Sequence, residues 1–203
     1  MTPAARGAKR VPGPAGPGGL AQAWVELRAE DPEAVSALGV ARARLPEGRR
    51  LAALRRARLF ELRGPLPETP GIESLLHRST WFYNPHKERC TVRRGAGDPA
   101  PAAPGEQVVL VVEHEGERRA AAERWWLHET GQAIEVREAV VWMLRFEAGE
   151  DAAARASELA RLDGRGRGLL CNRNAQDCSV VGADAVPLPW IGAGGPARAE
   201  GRR

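Results

Sequence analysis

Leu54-Arg55-Arg56-Ala57-Arg58-Leu59-Phe60-Glu61-Leu62-Arg63 decides how this chain is read. A second stretch, Val136-Arg137-Glu138-Ala139-Val140-Val141-Trp142-Met143-Leu144-Arg145, repeats it 82 residues later (55 to 137). Arg55 matches Arg137, Ala57 matches Ala139, Leu62 matches Leu144 and Arg63 matches Arg145, while Phe60 and Trp142 match in kind. Their content of aliphatic and aromatic residues predicts a strand in each place. A further pair supports the repeat: residues 81–92 (WFYNPHKERCTV) align with 169–180 (LLCNRNAQDCSV), 88 residues apart (84 to 172). Here Asn84 meets Asn172, Cys90 meets Cys178, Thr91 meets Ser179 and Val92 meets Val180. Two matches in one order predict a duplicated unit of about eighty residues. The second copy carries six extra residues between the matched segments (88 against 82).

The rest of the chain fits that division. Residues 1–19 and 192–203 are rich in Gly, Ala, Pro and Arg and read as disordered tails. Residues 95–105 (GAGDPAPAAPG) read as a flexible linker, since Pro and Gly deny it both helix and ladder. This leaves modules at 20–94 and 106–191. In the first, Ala23–Arg28 alternates as a half-buried strand, and Asp31-Pro32-Glu33 opens a helix with Asp31 as N-cap and Pro32 at its first position. That helix is expected to stop at Gly39 or before Pro46. A strand over 51–63, a short helix at 72–77 and a strand within 80–93 follow. In the second module, strands are predicted at 108–113, 134–146 and 169–181, with helices at 117–130 and 151–162.

Composition narrows the function classes. With 203 residues and 43% hydrophobic content the chain can build a core, and Trp supplies six of its ten aromatic residues, so a few bulky anchors carry the packing. The net charge of +4 invites a nucleic-acid reading. However, 30 basic residues face 26 acidic ones mixed along the chain, which describes solvated surface better than a phosphate patch. Three cysteines give no framework for a stapled secreted fold. No apolar run reads as a signal peptide or reaches membrane-spanning length, so a reducing cytoplasm is the expected setting.

At the matched segments the chain resembles PurS, the accessory subunit of phosphoribosylformylglycinamidine synthase. That family carries V-R-x-G-K-x-x-E-L, and Leu54 to Leu62 fits it without a gap, with Ala57 for Gly and Arg58 for Lys. It also carries L-L-x-N-P-x-x-E-x-x-x-V, which Trp81-Phe82-Tyr83-Asn84-Pro85-His86-Lys87-Glu88 fits on to Val92. Asp31-Pro32 matches the family's D-P helix opening. The second copy keeps Val136-Arg137 and Leu169-Leu170-x-Asn172, but Arg173 stands at the proline and no D-P occurs. The resemblance implies an α+β fold: two tandem PurS-like, ferredoxin-like-related modules forming a pseudo-dimer whose sheets face one another. It further implies a non-catalytic subunit of an ATP- and glutamine-using ligase in purine biosynthesis. The partners would be the glutaminase and synthetase subunits, with no cofactor, no membrane and no nucleic acid.

Candidate chemistry is thin. His86, Lys87, Glu88 and Cys90 suggest a nucleophile with its base, yet positions four apart on a strand lie too far apart for contact, and nothing orients the base. Cys90, Cys171 and Cys178 lack zinc-knuckle spacing, and the equivalence of Cys90 and Cys178 favours two small buried hydrophobes. Gly164-Arg165-Gly166-Arg167-Gly168 lies after a helix and before a strand, the reverse of a phosphate loop. Arg55 and Arg137 are the candidates for assembly or ligand contact, since a guanidinium grips a carboxylate or phosphate bidentately. Exposed strand arginines are the competing reading. Asn84, Pro85 and Asn172 join Arg55 and Arg137 as candidates for assembly or ligand contact, with Asn84 and Asn172 expected to fix turns. Trp125 and Trp126 are adjacent on one helix and cannot both face one core, which leaves one for a partner surface. Two rival functions stay open: a nucleic-acid-binding module using the tails and the Gly-Arg turn, and a small-ligand regulatory module.

Overall fold

A computed structural model of the chain describes residues 18–191, apart from 96, 115–117, 149–150, 163 and 165–166. Of the expected tails at 1–19 and 192–203, residues 1–17 and 192–203 lie outside the described residues, as do Arg165 and Gly166 of the Gly-Arg turn. Gly19 is corrected from tail to the first residue of the first strand. The fold is α+β, with four α-helices and one six-stranded antiparallel sheet. The elements run β1 (Gly19–Leu27), α1 (Pro32–Arg44), β2 (Leu51–Gly64), α2 (Thr69–His77), β3 (Glu88–Arg93), and then β4 (Gln107–Glu113), α3 (Ala120–Thr130), β5 (Glu135–Phe146), α4 (Ala152–Ala160), β6 (Gln176–Gly182). A short 3-10 turn, Ala183–Ala185, follows.

Local chemistry sets the boundaries. Asp31 caps α1, its Oδ1 accepting the amides of Glu33 at 2.8 Å and Ala34 at 3.3 Å, with Pro32 at the first helical position. The helix runs through Gly39 and stops at Arg44, one residue ahead of the Leu45-Pro46 pair, because the residue before a proline is pushed out of helical backbone. Gly131 ends α3 in the left-handed region at φ 73°, its amide returning to the Leu127 carbonyl. The last strand is shorter than 169–181: residues 169–175 form a loop and β6 begins at Gln176.

The strand order is β3-β1-β2-β5-β4-β6, so β2 and β5, which carry the matched arginine segments, meet at the centre. Each half contributes strand, helix, strand, helix, strand, and the order reads alike from either edge. One transverse row shows the register: Cys90, Val25, Arg58, Val140, Val111 and Cys178 are successive partners across all six strands. Read inward from both edges, its members are 88 (90 to 178), 86 (25 to 111) and 82 (58 to 140) residues apart. The outer and inner values are those of the two sequence matches. The six extra residues flank α4, whose buried Ala156, Leu159 and Ala160 stand 84 residues beyond Ile72, Leu75 and Leu76 of α2 (72 to 156).

The expectation that two sheets would face one another is corrected. The halves join edge to edge through β2 and β5, which converts two open strand edges into one continuous ladder. All four helices pack against one face, over two apolar clusters, and each cluster draws one helix from each half. Phe60, Leu62, Ile72, Leu76, Trp126 and Val136 pack with α2 and α3. Ala41, Leu54, Trp142, Leu144, Leu159 and Cys171 pack with α1 and α4.

The opposite face buries Trp24, Leu59, Val108, Val141 and Met143, and the chain's own connecting segments cover it. Ala100 and Ala102 of the segment between β3 and β4 lie on it, so the middle of that segment is seated on the sheet and does not act as a free tether. Val186, Trp190 and Ile191 lie on the same face. This second strap is held by polar side chains. The buried Glu61 carboxylate accepts the amides of Trp190 and of Ile191, the latter at 3.0 Å, and Arg93 donates to the Val186 carbonyl at 3.2 Å. Gln22 donates to Glu61 at 2.9 Å and to the Pro187 carbonyl at 3.0 Å, and Trp190 Nε1 donates to Ser179 Oγ at 2.9 Å. Buried backbone groups outside a ladder need such partners, and these residues provide them.

Candidate functional site

The two asparagines build the same turn atom for atom. The Asn84 side-chain oxygen accepts the His86 amide at 3.0 Å, its carbonyl accepts the amides of Lys87 and Glu88, and its own amide donates to the Glu88 carboxylate at 2.6 Å. At Asn172 the side-chain oxygen accepts the Asn174 amide at 3.1 Å, and the carbonyl accepts Ala175 and Gln176. The Asn172 amide donates to the Gln176 side-chain oxygen at 2.9 Å. Arg173 in place of Pro85 leaves the turn intact, since the bonds come from the asparagine and from the Glu or Gln four residues on. The Pro85 carbonyl accepts the Arg28 guanidinium at 3.3 Å.

Arg55 and Arg137 occupy matching register positions, with Arg55 opposite Met143 and Arg137 opposite Glu61, its counterpart 82 residues earlier. Their surroundings differ. Arg55 bonds the buried carboxylates of Glu26 and Glu106, each at 2.8 Å, and the Pro101 carbonyl at 3.3 Å. Burial opposes its charge, but the bonds and charges of Glu106 and Glu26 outweigh that and raise its pKa above the ordinary arginine value. Glu106 also accepts the Ala103 amide at 2.8 Å, so Arg55 clamps the first strap to the sheet. Arg137 pairs with Glu135 on its own strand. Neither arginine lines a cavity described for the chain.

A cleft of about 230 Å³ lies on the helix face, between the start of α1 and strands β1 to β3. Asp31, Glu33, Arg56, Arg58 and Glu88 supply its charges. Arg56 reaches Glu33 at 3.0 Å and Asp31 at 3.5 Å, with its guanidinium 5.7 Å from the Trp142 ring centre. Arg58 donates to the Phe82 carbonyl at 2.8 Å and to Glu88 at 3.0 Å, and lies 3.7 Å from Glu138. An anion entering here would compete with four carboxylates for two guanidinium groups. Reading the sequence for pairs of matched residues passed over Arg56 and Arg58. The signal that finds them is alternation, because they fall on the same strand face as Leu54, Phe60 and Leu62.

The cysteines differ sharply. Cys90 is half-buried, and burial, aided by the charge of Glu73, pushes its thiol up to about 12. Cys171 and Cys178 are buried in one cluster, and the Cys171 thiol donates to the Gln176 carbonyl at 3.5 Å. The influence of Cys171, with that of Arg161, holds the Cys178 thiol down, while Cys178 and burial push Cys171 up. Cys178 is thus buried in an apolar cluster as expected, whereas Cys90 is only half-buried. Among the described residues, no three His, Cys, Asp or Glu side chains gather as a metal site, and no helix is long and apolar enough to cross a membrane. Trp126 is the buried member of its pair, while Trp125 packs edge-on to Phe82 at 6.0 Å. Trp81 and Leu127 are the large apolar side chains exposed in this region. Comparison of the chain with known protein families, characterised proteins and solved structures finds no match.

Proposed function

We propose that this chain is a cytoplasmic, non-catalytic PurS-like subunit of phosphoribosylformylglycinamidine synthase, two modules fused as an internal pseudo-dimer. In this reading it holds the glutaminase subunit against the ATP-dependent synthetase subunit. The observation that carries it is the agreement between sequence and register: the motif-bearing segments recur at 82 and 88 residues, and the sheet relates its halves by the same two shifts. The resemblance then supplies the activity. The prominent arginines Arg55, Arg56, Arg58, Arg63 and Arg93 are engaged with carboxylates or carbonyls, which favours scaffolding over phosphate binding.

The test is reconstitution with the glutaminase and synthetase subunits from the same cell. Glutamine-supported amidine formation is expected only when this chain is present, and ammonium salts in place of glutamine should remove the requirement. Equal glutamine-supported rates with and without the chain, and no co-elution of the three, would defeat the proposal. The cleft of about 230 Å³ beside Arg56 and Arg58 favours a second reading, a regulatory module for a small metabolite. A thermal-shift screen against purine intermediates and amino acids separates the two, since scaffolding alone predicts no shift.

A further inference from the structure

Gln22 on β1 is paired with Glu61 on β2 and with Arg93 on β3, so the three form one transverse row across the first half of the sheet. Gln22 and Glu61 are 0% exposed and Arg93 3%. Arg93 donates to Gln22 at 3.1 Å, Gln22 donates to Glu61 at 2.9 Å, and Arg63 pairs with Glu61 at 2.9 Å. Residues 186–191 lie over this row, and each bond between them and the row is to their main chain. The Val186 carbonyl accepts from Arg93 at 3.2 Å, the Pro187 carbonyl from Gln22 at 3.0 Å and the Ile191 carbonyl from Arg63. The amides of Trp190 and Ile191 donate to Glu61. Pro187 and Pro189 have no N–H, so the middle of the segment is rich in acceptors and meets donors. The side chains of Val186, Trp190 and Ile191 meanwhile sink into the apolar cluster of that face. Main-chain bonds combined with apolar anchors are the way a protein holds an extended peptide.

The second half answers the same place differently. Its equivalent row is Val108, Met143 and Val181, which stand 86, 82 and 88 residues beyond Gln22, Glu61 and Arg93 (22 to 108, 61 to 143, 93 to 181). Packing this face therefore needs no charge, and burying a guanidinium with a carboxylate costs desolvation that apolar side chains avoid. What the polar row gains is tolerance of water when its cover lifts, whereas an apolar row uncovered in the same way would favour association. The cover also leaves donors unmet: Nε of Arg93 and Nε of Arg63 are buried without a partner among the described residues. We propose that Arg93, Gln22, Glu61 and Arg63 form a docking site for an extended, proline-containing peptide of a partner protein, which residues 186–191 occupy as a displaceable stand-in. The segment already seated defines the peptide: an aliphatic residue, two prolines separated by one residue, then an aromatic and an aliphatic residue. The partner's peptide competes with the chain's own segment, so its apparent affinity follows the fraction of chains in which the site is open.

A capped, fluorophore-labelled peptide Val-Pro-Leu-Pro-Trp-Ile, titrated with the full-length chain and followed by anisotropy, tests this. Trp190→Ala with Ile191→Ala loosens the chain's own segment and leaves the row intact, so peptide binding should tighten by about tenfold or more over the parent. Adding the second half's residues to that chain, as Gln22→Val, Glu61→Met and Arg93→Val, should abolish the gain. Hydrogen exchange on the parent supplies an independent measure. With peptide in excess, the amides of Trp190 and Ile191 should exchange faster, while those of β2 and β5 keep their rates. A loosened, folded chain that binds no tighter than the parent would overturn the proposal, as would equal binding by the chain with the apolar row. So would Trp190 and Ile191 amides that exchange only with the whole sheet and ignore the peptide. Where a substituted chain fails to fold, exchange on the parent decides the matter.

Discussion

At the end of α2, His77 Nδ1 lies 3.2 Å from the Tyr83 hydroxyl, and Tyr83 lies close enough to Cys90 to feel its charge. At the end of α4, Arg161 and Cys171 lie close enough to Cys178 to lower its thiol pKa. Tyr83 and Cys171, like Cys90 and Cys178, are 88 residues apart (83 to 171), so the two trios occupy equivalent places. One backbone plan thus holds a half-buried thiol near a phenol on one edge and two buried cysteines in one apolar cluster on the other. The helix starts differ in a related way. Asp31 faces Arg56 near α1, while Arg119 pairs with Glu138 near α3, and Glu138 stands 82 residues beyond Arg56 (56 to 138). The charges have exchanged places while the pairing persists. What is common to the halves is backbone hydrogen bonding, and what has diverged is the side-chain chemistry on it.

The largest expected difference is in thiol ionisation. In a chain keeping only Cys171 and Cys178, thiolate absorbance should rise near pH 6, and in one keeping only Cys90 it should rise near pH 12. The linkage signs are opposite. Cys178 sits below the ordinary 9.0, so it adds stability that is complete above pH 9 and lost as pH falls through about 6. Cys90 sits above 9.0, so it adds stability below pH 9 that is lost as pH rises through about 12. Coincident titrations would erase the distinction between the edges.

The next largest contrast is between Glu61 and Met143, counterparts on β2 and β5. Glu61→Leu strips partners from the amides of Trp190 and Ile191, from Gln22 and from Arg63, and should destabilise by about 3–5 kcal/mol in urea unfolding. Met143→Leu, in an apolar site of the same face, should cost below about 1.5 kcal/mol. Asn84→Ala and Asn172→Ala should each cost about 1 kcal/mol, since each removes one side-chain acceptor from the same turn. Unequal losses in the same assay would show that the Arg173 turn has drifted in energy though not in form. The smallest effect belongs to the exchanged charges. Arg119→Glu and Glu138→Arg should each destabilise singly and recover about 0.5–1 kcal/mol of coupling when combined, measured as a double-mutant cycle.

Much of the fold was legible because its signals are local. An asparagine that bonds its own chain two residues on needs only its immediate neighbours, so Asn84 and Asn172 announced their turns. Asp31-Pro32 announced the start of α1 for the same reason. The aliphatic and aromatic content of 54–63 and 136–145 announced the central strands but said nothing about which polar members would be buried. Arg56, Arg58 and Glu61 look alike in the sequence. They separate only when β5 is laid beside β2 and the strap of 183–191 covers one face.

Taken alone, the sequence determined the order of elements, their two matching sets and the shifts that relate them, since these follow from short-range patterning and counting. Tertiary structure alone decided that the halves join edge to edge, that Ala100 and Ala102 and the segment at 183–191 are seated on the sheet, and that Cys171 and Cys178 share one buried cluster. Those outcomes depend on which backbone groups and charges can be buried only in each other's company. Such a condition involves residues far apart in the chain, and no local stretch encodes it.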